Sequence, residues 1–493
     1  MTDTAPDPRS RDGAPRRPHV VVVGGGISGL SAAWFLCRAR HDLRVTVLES
    51  ASAVGGALRV GEVGGLTLDL GAESVLATRP EAVALIRAAG LGDDLVHPAV
   101  VAPRLLVDGD LKELPRGLVM GVPTDLGALA RSGVLPASAL AQLPLDHVRA
   151  ATPTGDDISI GEYVGRRLGP DVVDRLVSPL LLGVYADRAV NVSMRACAPR
   201  LFEAVQHRRS VLAAAQEVFG PVGVERGPVF AGVRGGVGRL PQVLAERLRS
   251  GGAEIETGAT VREVRRTPHG WEVVVGPTNA ARVIAADAVI MAVPAPAAAR
   301  LMARLNLQAE TELSEIETTS VGVVSLVYRA SDLPGGELPH GSGYLVPPSE
   351  GRPVKAATFS SHKWQWVRDA ADAQGLVAVR CSVGDASNVE ILQRDDDELV
   401  SVAAHDLAFV GRLGRALPVA SRVTRWGGAL PRYAVGHVER ARRITAGVDS
   451  VPGLAICGAA FDGVGIAACI GRAETSASRI SQHLMADGEW RHD

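Results

Sequence analysis

The sequence predicts an α/β fold in which a nucleotide-binding parallel sheet is assembled from separated pieces of chain. Three observations carry this reading. A glycine cluster, Gly24-Gly25-Gly26-Ile27-Ser28-Gly29, follows an apolar strand and opens a helix; a carboxylate, Glu49, ends the next strand; and strand signals return beyond Phe230 after a long helical stretch. The length agrees, since 493 residues are too many for one core and suit two or three domains of about 150 residues each.

Taken in order, residues 1–19 hold Pro, Asp and Arg without a period and read as a disordered tail. Val20 to Val23 is a buried-strand signal, Ser28 to Ala39 a helix, and Arg44 to Leu48 a strand of β-branched residues, which together make a βαβ unit. The uncharged run from Val20 to Cys37 behind Arg16-Arg17 could also be taken for an export leader or a spanning segment. Its glycines weaken a spanning helix and no small-residue cleavage site precedes Arg38, so a cytoplasmic protein is expected. A polar stretch to Gly71 and a helix at Pro80 to Ala89 follow, and helical periods dominate from 100 to 225, a separate lobe. Beyond it come the helix Gly238 to Ser250, the strand Glu254 to Thr257, the pair Val261 to Arg265 and Trp271 to Val275, and the strand Ala288 to Val293, which would complete the first sheet. Val321 to Tyr328, Lys355 to Ser360 and Val377 to Val383 read as a second sheet. Leu454 to Cys457 returns to the first, before a last helix to about Leu484. The nucleotide-binding domain would then comprise 20–99, 226–300 and 445–487, with the helical lobe at 100–225 and the second sheet at 301–444.

Composition narrows the function. With 52 basic and 54 acidic side chains the chain has no field to collect nucleic acid, which is excluded as a partner. Five scattered cysteines without a CxxC pair read as reduced thiols, and no metal-ligand spacing occurs. Lysine is confined to Lys112, Lys355 and Lys363, so arginine is the default cation and a lone Arg carries little weight.

The chemistry lies in the glycines. Gly24, Gly26 and Gly29 fit GxGxxG: they permit a tight turn and close approach of a diphosphate, whose charge the helix N-terminus favours, while Glu49 accepts from ribose hydroxyls. A carboxylate there suits an unphosphorylated ribose, hence FAD or NAD. Gly55-Gly56 and then Asp69-Leu70-Gly71-Ala72-Glu73-Ser74 resemble the extended fingerprint of FAD-dependent oxidases. Near the C-terminus, Gly458-Ala459-Ala460-Phe461-Asp462-Gly463-Val464-Gly465-Ile466 runs from a strand into the last helix and would aim N–H groups at a flavin, favouring its reduced form. Ala459, Val464, Gly465 and Ile466 are its candidate contacts.

From Val20 to His483 the chain resembles the oxygen-dependent porphyrinogen oxidases, most closely the bacterial members acting on coproporphyrinogen III. GGGISGL at Gly24, LGAES at Leu70, APR at Ala102, GVYA at Gly183 followed by Ser193-Met194, GGVGRLP at Gly235, SSHKW at Ser360, RW with LPRY and VGH between Arg425 and His437, and GVGI at Gly463 carry the resemblance. Two departures stand out: Arg432 where the family often has Gln, and Ala467-Ala468 where a Pro-Asp pair is common. The resemblance implies a glutathione-reductase-like FAD domain with an inserted substrate sheet and helical lobe. It implies stepwise dehydrogenation of a tetrapyrrole in haem biosynthesis, with dioxygen as acceptor and hydrogen peroxide as product. It also implies at most peripheral membrane contact, and hand-over to other haem-pathway enzymes. Arg104 matches a position that pairs with a substrate propionate, Gly183 one that lines the substrate pocket, and Val261 one whose backbone meets adenine. His437 and Lys363 are tempting acid/base groups, although a lone His or Lys is more often structural. No catalytic base is assigned. A flavin amine oxidase would place Arg after the second glycine pair, where Ala57 stands. The residues also leave open a protoporphyrinogen oxidase and a flavoprotein without turnover.

Overall fold

The computed structural model describes residues 17–220 and 227–489. Residues 1–16 of the expected tail lie outside the described residues. His19, assigned to that tail, instead opens β1 (His19–Val23), where its buried ring bridges Ala285 O and Thr46 Oγ1 at 2.8 Å each.

β1 is the central strand of a five-stranded parallel sheet. The order is Glu254–Glu256, β2 (Arg44–Leu48), β1, Ala288–Met291, Leu454–Ile456. Val20 stands opposite Val45 on one side and Ala288 on the other. Parallel strands are buried on both faces, which is why β1 is an unbroken apolar run; a crossover must join them, here α1 (Ile27–Ala39). One face is covered by α1, the helix Arg239–Ser250 and the last helix α2 (Ile466–Glu489), through Leu30, Leu36, Leu244 and Ile470. The run Val20 to Cys37 is thus a strand, a turn and a helix of this layer. Among the described residues no helix is long and apolar enough to cross a membrane.

Two sequence expectations are corrected on the second face. Val261–Thr267 and Gly270–Val275 do not join the parallel sheet but pair antiparallel with one another and with Arg282–Ala286. The physical reason is their alternation: Arg262, Arg265 and Arg266 interrupt the apolar positions, and only an antiparallel sheet with one wet face accepts that. The helices Leu307–Ser314 and His437–Asp449 also pack on this face, through Ala309, Leu313, Ile444 and Val448, so the nucleotide-binding unit extends past the boundaries at 300 and 445.

The second sheet has seven strands, in the order Ala420–Pro431, Thr318–Arg329, Leu376–Val383, Val354–Thr358, Gly343–Leu345, Pro103–Val107, Asp110–Glu113. Only Gly343–Leu345 and Pro103–Val107 run parallel. Residues 103–113, expected to open the helical lobe, are therefore two strands of this sheet. The helices of the lobe run from Leu126 to Phe219 and are pinned by a buried pair, Arg167 Nε to Asp146 Oδ1 at 2.5 Å, whose second carboxylate oxygen accepts from Ser210 Oγ and Leu212 N. The long strand Ala420–Pro431 escaped sequence reading because its arginines and glycines leave it half-buried, with no apolar alternation.

Candidate cofactor and substrate site

The glycine fingerprint sits where β1 runs out at the carboxyl edge of the parallel sheet, the edge at which open α/β sheets bind ligands. Gly24 N donates to Leu48 O at 2.8 Å, which folds the turn across the end of β2. Gly29 cannot be larger, since a Cβ there would lie 1.8 Å from Gly24 O. Gly26 is the opposite case, with nothing within 4 Å of a Cβ. No side chain caps α1, so the N–H groups of its first turn, from Ile27 and Ser28 onward, face that open space. A cofactor diphosphate fits this cradle.

The expected partners converge on it. Glu49 Oε2 accepts from Gly25 N at 2.7 Å and Oε1 from Ala51 N at 2.8 Å, which fixes the carboxylate beside the turn with lone pairs left for hydroxyl donors. Gly55 N donates to Gly25 O at 2.9 Å, and a Cβ on Gly56 would touch Gly26 Cα at 3.4 Å, so the two glycine pairs pack on each other. Ala259 N donates to Glu49 O, which brings the half-buried Val261, two residues on, to the same end of the sheet.

The C-terminal loop arrives from the next strands. Ile466 starts α2, whose first-turn Cys469 donates to Gly463 O at 3.9 Å, and α2 packs along α1 through Ile470 and Leu30. Val464 packs against the core of the helical lobe, while Ile466 belongs to the core under the parallel sheet; the exposed Gly465 between them has open space around it. Ala459 O and Ala460 O accept from Tyr433 Oη at 2.6 Å and His437 Nε2 at 2.9 Å.

The Gly71-Ala72-Glu73-Ser74 loop is tied to the second sheet. A Cβ on Gly71 would lie 1.9 Å from Ala57 O, and Arg380 donates to Gly71 O. The Glu73 carboxylate is taken by two cations, Lys363 Nζ and Arg380 Nη1 at 2.5 Å each, and they hold it ionised down to about 2 against the effect of burial. What Glu73 offers a cofactor is its backbone; Ala72 is exposed and Ser74 half-buried beside it. Lys363 is thereby a partner of Glu73, not a free base. His437 is 2% exposed, and burial pushes it down to about 4, so it stays neutral and serves the loop.

The two substrate candidates are not brought together. Leu105 and Val107 point into the core of the helical lobe and Leu106 into the core behind the sheet, so strand alternation turns Arg104 away from the lobe. Gly183 lies on the lobe side, where a Cβ would meet Leu345 Cδ2 at 3.7 Å. Arg104 is half-buried, and its guanidinium has no hydrogen-bond or ion-pair partner among the described residues.

Three residues that organise the site were given no role of their own by sequence reading. Arg380 was signalled by a charge within an apolar strand, and Tyr433 by its place in LPRY. Asp69 was signalled by the carboxylate before LGAES: it accepts from Val237 N and Gly238 N at 3.0 and 2.9 Å, and burial pushes it up to about 6.

The family model for flavin containing amine oxidoreductases matches residues 27–481. The chain is 35% identical to the coproporphyrinogen III oxidase of Mycobacterium tuberculosis (strain H37Rv), over 94% of this chain and 98% of that one. It is 28% identical to the protoporphyrinogen oxidase of Bos taurus, over 94% and 98%. A solved structure from Exiguobacterium sp. 255-15, 28% identical, matches with a TM-score of 0.81 over 95% of this chain and 99% of that one. The chain therefore belongs to the flavin containing amine oxidoreductase family and is an FAD-dependent oxidoreductase.

Proposed function

We propose that the protein dehydrogenates coproporphyrinogen III to coproporphyrin III, with dioxygen as the final acceptor and hydrogen peroxide as product, in haem biosynthesis. The observation that carries this reading is the similarity to coproporphyrinogen III oxidases along nearly the full length of both chains.

In this reading Gly24 to Gly29 and the first turn of α1 hold the diphosphate, together with Gly55 and Gly56, Glu49 holds the ribose, and the backbone at Val261 meets the adenine. Gly71 to Ser74 and the loop from Ala459 to Ile466 bracket the flavin. When bound, FAD supplies hydride acceptance and reoxidation by dioxygen. The chain's own contribution is binding, orientation and exclusion of water. Gly183, small and beside Leu345, leaves room for a flat macrocycle next to the lobe. Arg104, lacking a partner, suits a propionate that reaches over the end of its strand. No side chain is assigned as a general base. The coarse substrate class is a tetrapyrrole; the protein is taken to be cytoplasmic with at most peripheral membrane contact, and its product to pass to other haem-pathway enzymes.

Protoporphyrinogen IX is the second substrate to weigh, because the bovine relative of similar coverage bears that name. The deciding experiment is a side-by-side assay of both porphyrinogens with oxygen uptake recorded. A higher kcat/KM on coproporphyrinogen III is expected. A preference for protoporphyrinogen IX overturns the substrate, and turnover of neither overturns the reaction.

A further inference from the structure

Tyr433 and His437 lie outside the loop that meets the flavin, yet both donate into it. Tyr433 Oη reaches Ala459 O and His437 Nε2 reaches Ala460 O, and the two rings stack with centroids 4.0 Å apart and planes 18° from parallel. The Tyr185 ring packs on Tyr433 at a tilt of 47° with centroids 5.5 Å apart, at the end of the helix that carries Gly183. A donor facing Ala460 O requires the imidazole proton on Nε2. The neutral ring supplies it, and Arg440 and Asp157 are the charged groups that act on it.

Peptide geometry sets the consequence. In a trans peptide the carbonyl and the following N–H point in opposite directions, so carbonyls drawn to Tyr433 and His437 turn the N–H groups of Ala460 and Phe461 away from that pair. Both residues are buried, at 6% and 8% exposure, and neither N–H has a hydrogen-bond partner among the described residues. Buried donors without partners are rare in folded proteins and mark the place of a ligand.

We propose that Tyr433 and His437 are positioning residues, which turn the Ala459-Ala460-Phe461 backbone so that its N–H groups face the flavin and favour the reduced, more negatively charged cofactor. The inference rests on FAD as cofactor and not on the identity of the porphyrinogen. Its consequence is a reduction equilibrium that depends on two side chains that do not touch the substrate.

The test equilibrates the purified holoenzyme anaerobically with a redox dye of known potential, without any porphyrinogen. Tyr433→Phe and His437→Leu should each lower the equilibrium constant for flavin reduction about tenfold, the effect of weakening one hydrogen bond to charge. His437→Gln, whose amide N–H reaches about as far, should restore most of it. Full FAD content with an unchanged equilibrium constant in Tyr433→Phe and His437→Leu overturns the proposal. Should His437→Leu fail to hold FAD, Tyr433→Phe decides alone, because it removes one oxygen and keeps the stack. An enzyme inactive on both porphyrinogens would still give this readout.

Discussion

Arg380 and Glu73 meet as an ion pair, Nη1 to Oε2 at 2.5 Å, across 307 residues of sequence. With Lys363 on the other carboxylate oxygen, the pair joins the loop beside the cofactor cradle to a central strand of the seven-stranded sheet. The loop beside the cradle is thus anchored on the seven-stranded sheet.

Removing that carboxylate strands two shielded cations. Glu73→Ala should lower stability by about 3 kcal/mol, measured by urea unfolding of the holoenzyme, since breaking one side of a buried pair costs more than the pair contributes. The pH dependence has a fixed sign. Glu73 titrates lower folded than unfolded, so its contribution is present above about 4.5 and is lost as pH falls towards about 2. Wild type minus variant stability that does not shrink over this range would remove the cluster from the account.

Asp69 acts in the opposite sense. Burial raises its folded value from 3.8 to about 6, so the unfolded chain ionises first and stability falls as pH rises through that window. Asp69→Asn should flatten this slope in a plot of Tm against pH. It should also lower Tm at every pH, because the amide can replace only one of the two acceptors serving Val237 N and Gly238 N.

The fingerprint glycines should separate folding from binding. Gly26→Trp should yield folded protein without FAD, because its side chain enters the open space in front of α1. Gly29→Ala should fail earlier, in folding itself, since its Cβ would lie 1.8 Å from Gly24 O. Flavin absorbance and far-ultraviolet circular dichroism measured together distinguish the two; yellow, fully loaded Gly26→Trp protein would contradict the cradle.

Arg104→Ala should leave Tm unchanged, for the guanidinium has no partner to lose among the described residues. Loss of one charge-assisted contact to a propionate would lower kcat/KM on coproporphyrinogen III about tenfold, mostly in KM, because the anchor holds ground and transition states alike. An unchanged KM in steady-state kinetics assigns the propionate to another cation.

The sequence by itself determined the elements whose signals are local. β1, α1 and β2 follow from an apolar run, a glycine turn and β-branched residues within about thirty residues of chain, and Glu49 follows from its spacing to Gly29. Only the tertiary structure decided what depends on distant pairing. Val261 to Arg265 was legible as a strand, but whether it joins the parallel sheet depends on which neighbour has a wet face to offer. Glu73 was read as a cofactor residue from its motif, while the cations that occupy its carboxylate lie 290 and 307 positions away. Arg104 and Gly183 shared a predicted role, yet the side Arg104 faces was fixed by the pairing of its strand with Gly343–Leu345, a segment some 240 residues away. His437 read as a lone histidine, because nothing near it in sequence reveals the carbonyl of Ala460. Local propensity and spacing act over a few residues, whereas burial, pairing and the partners of a charge are properties of the packed chain.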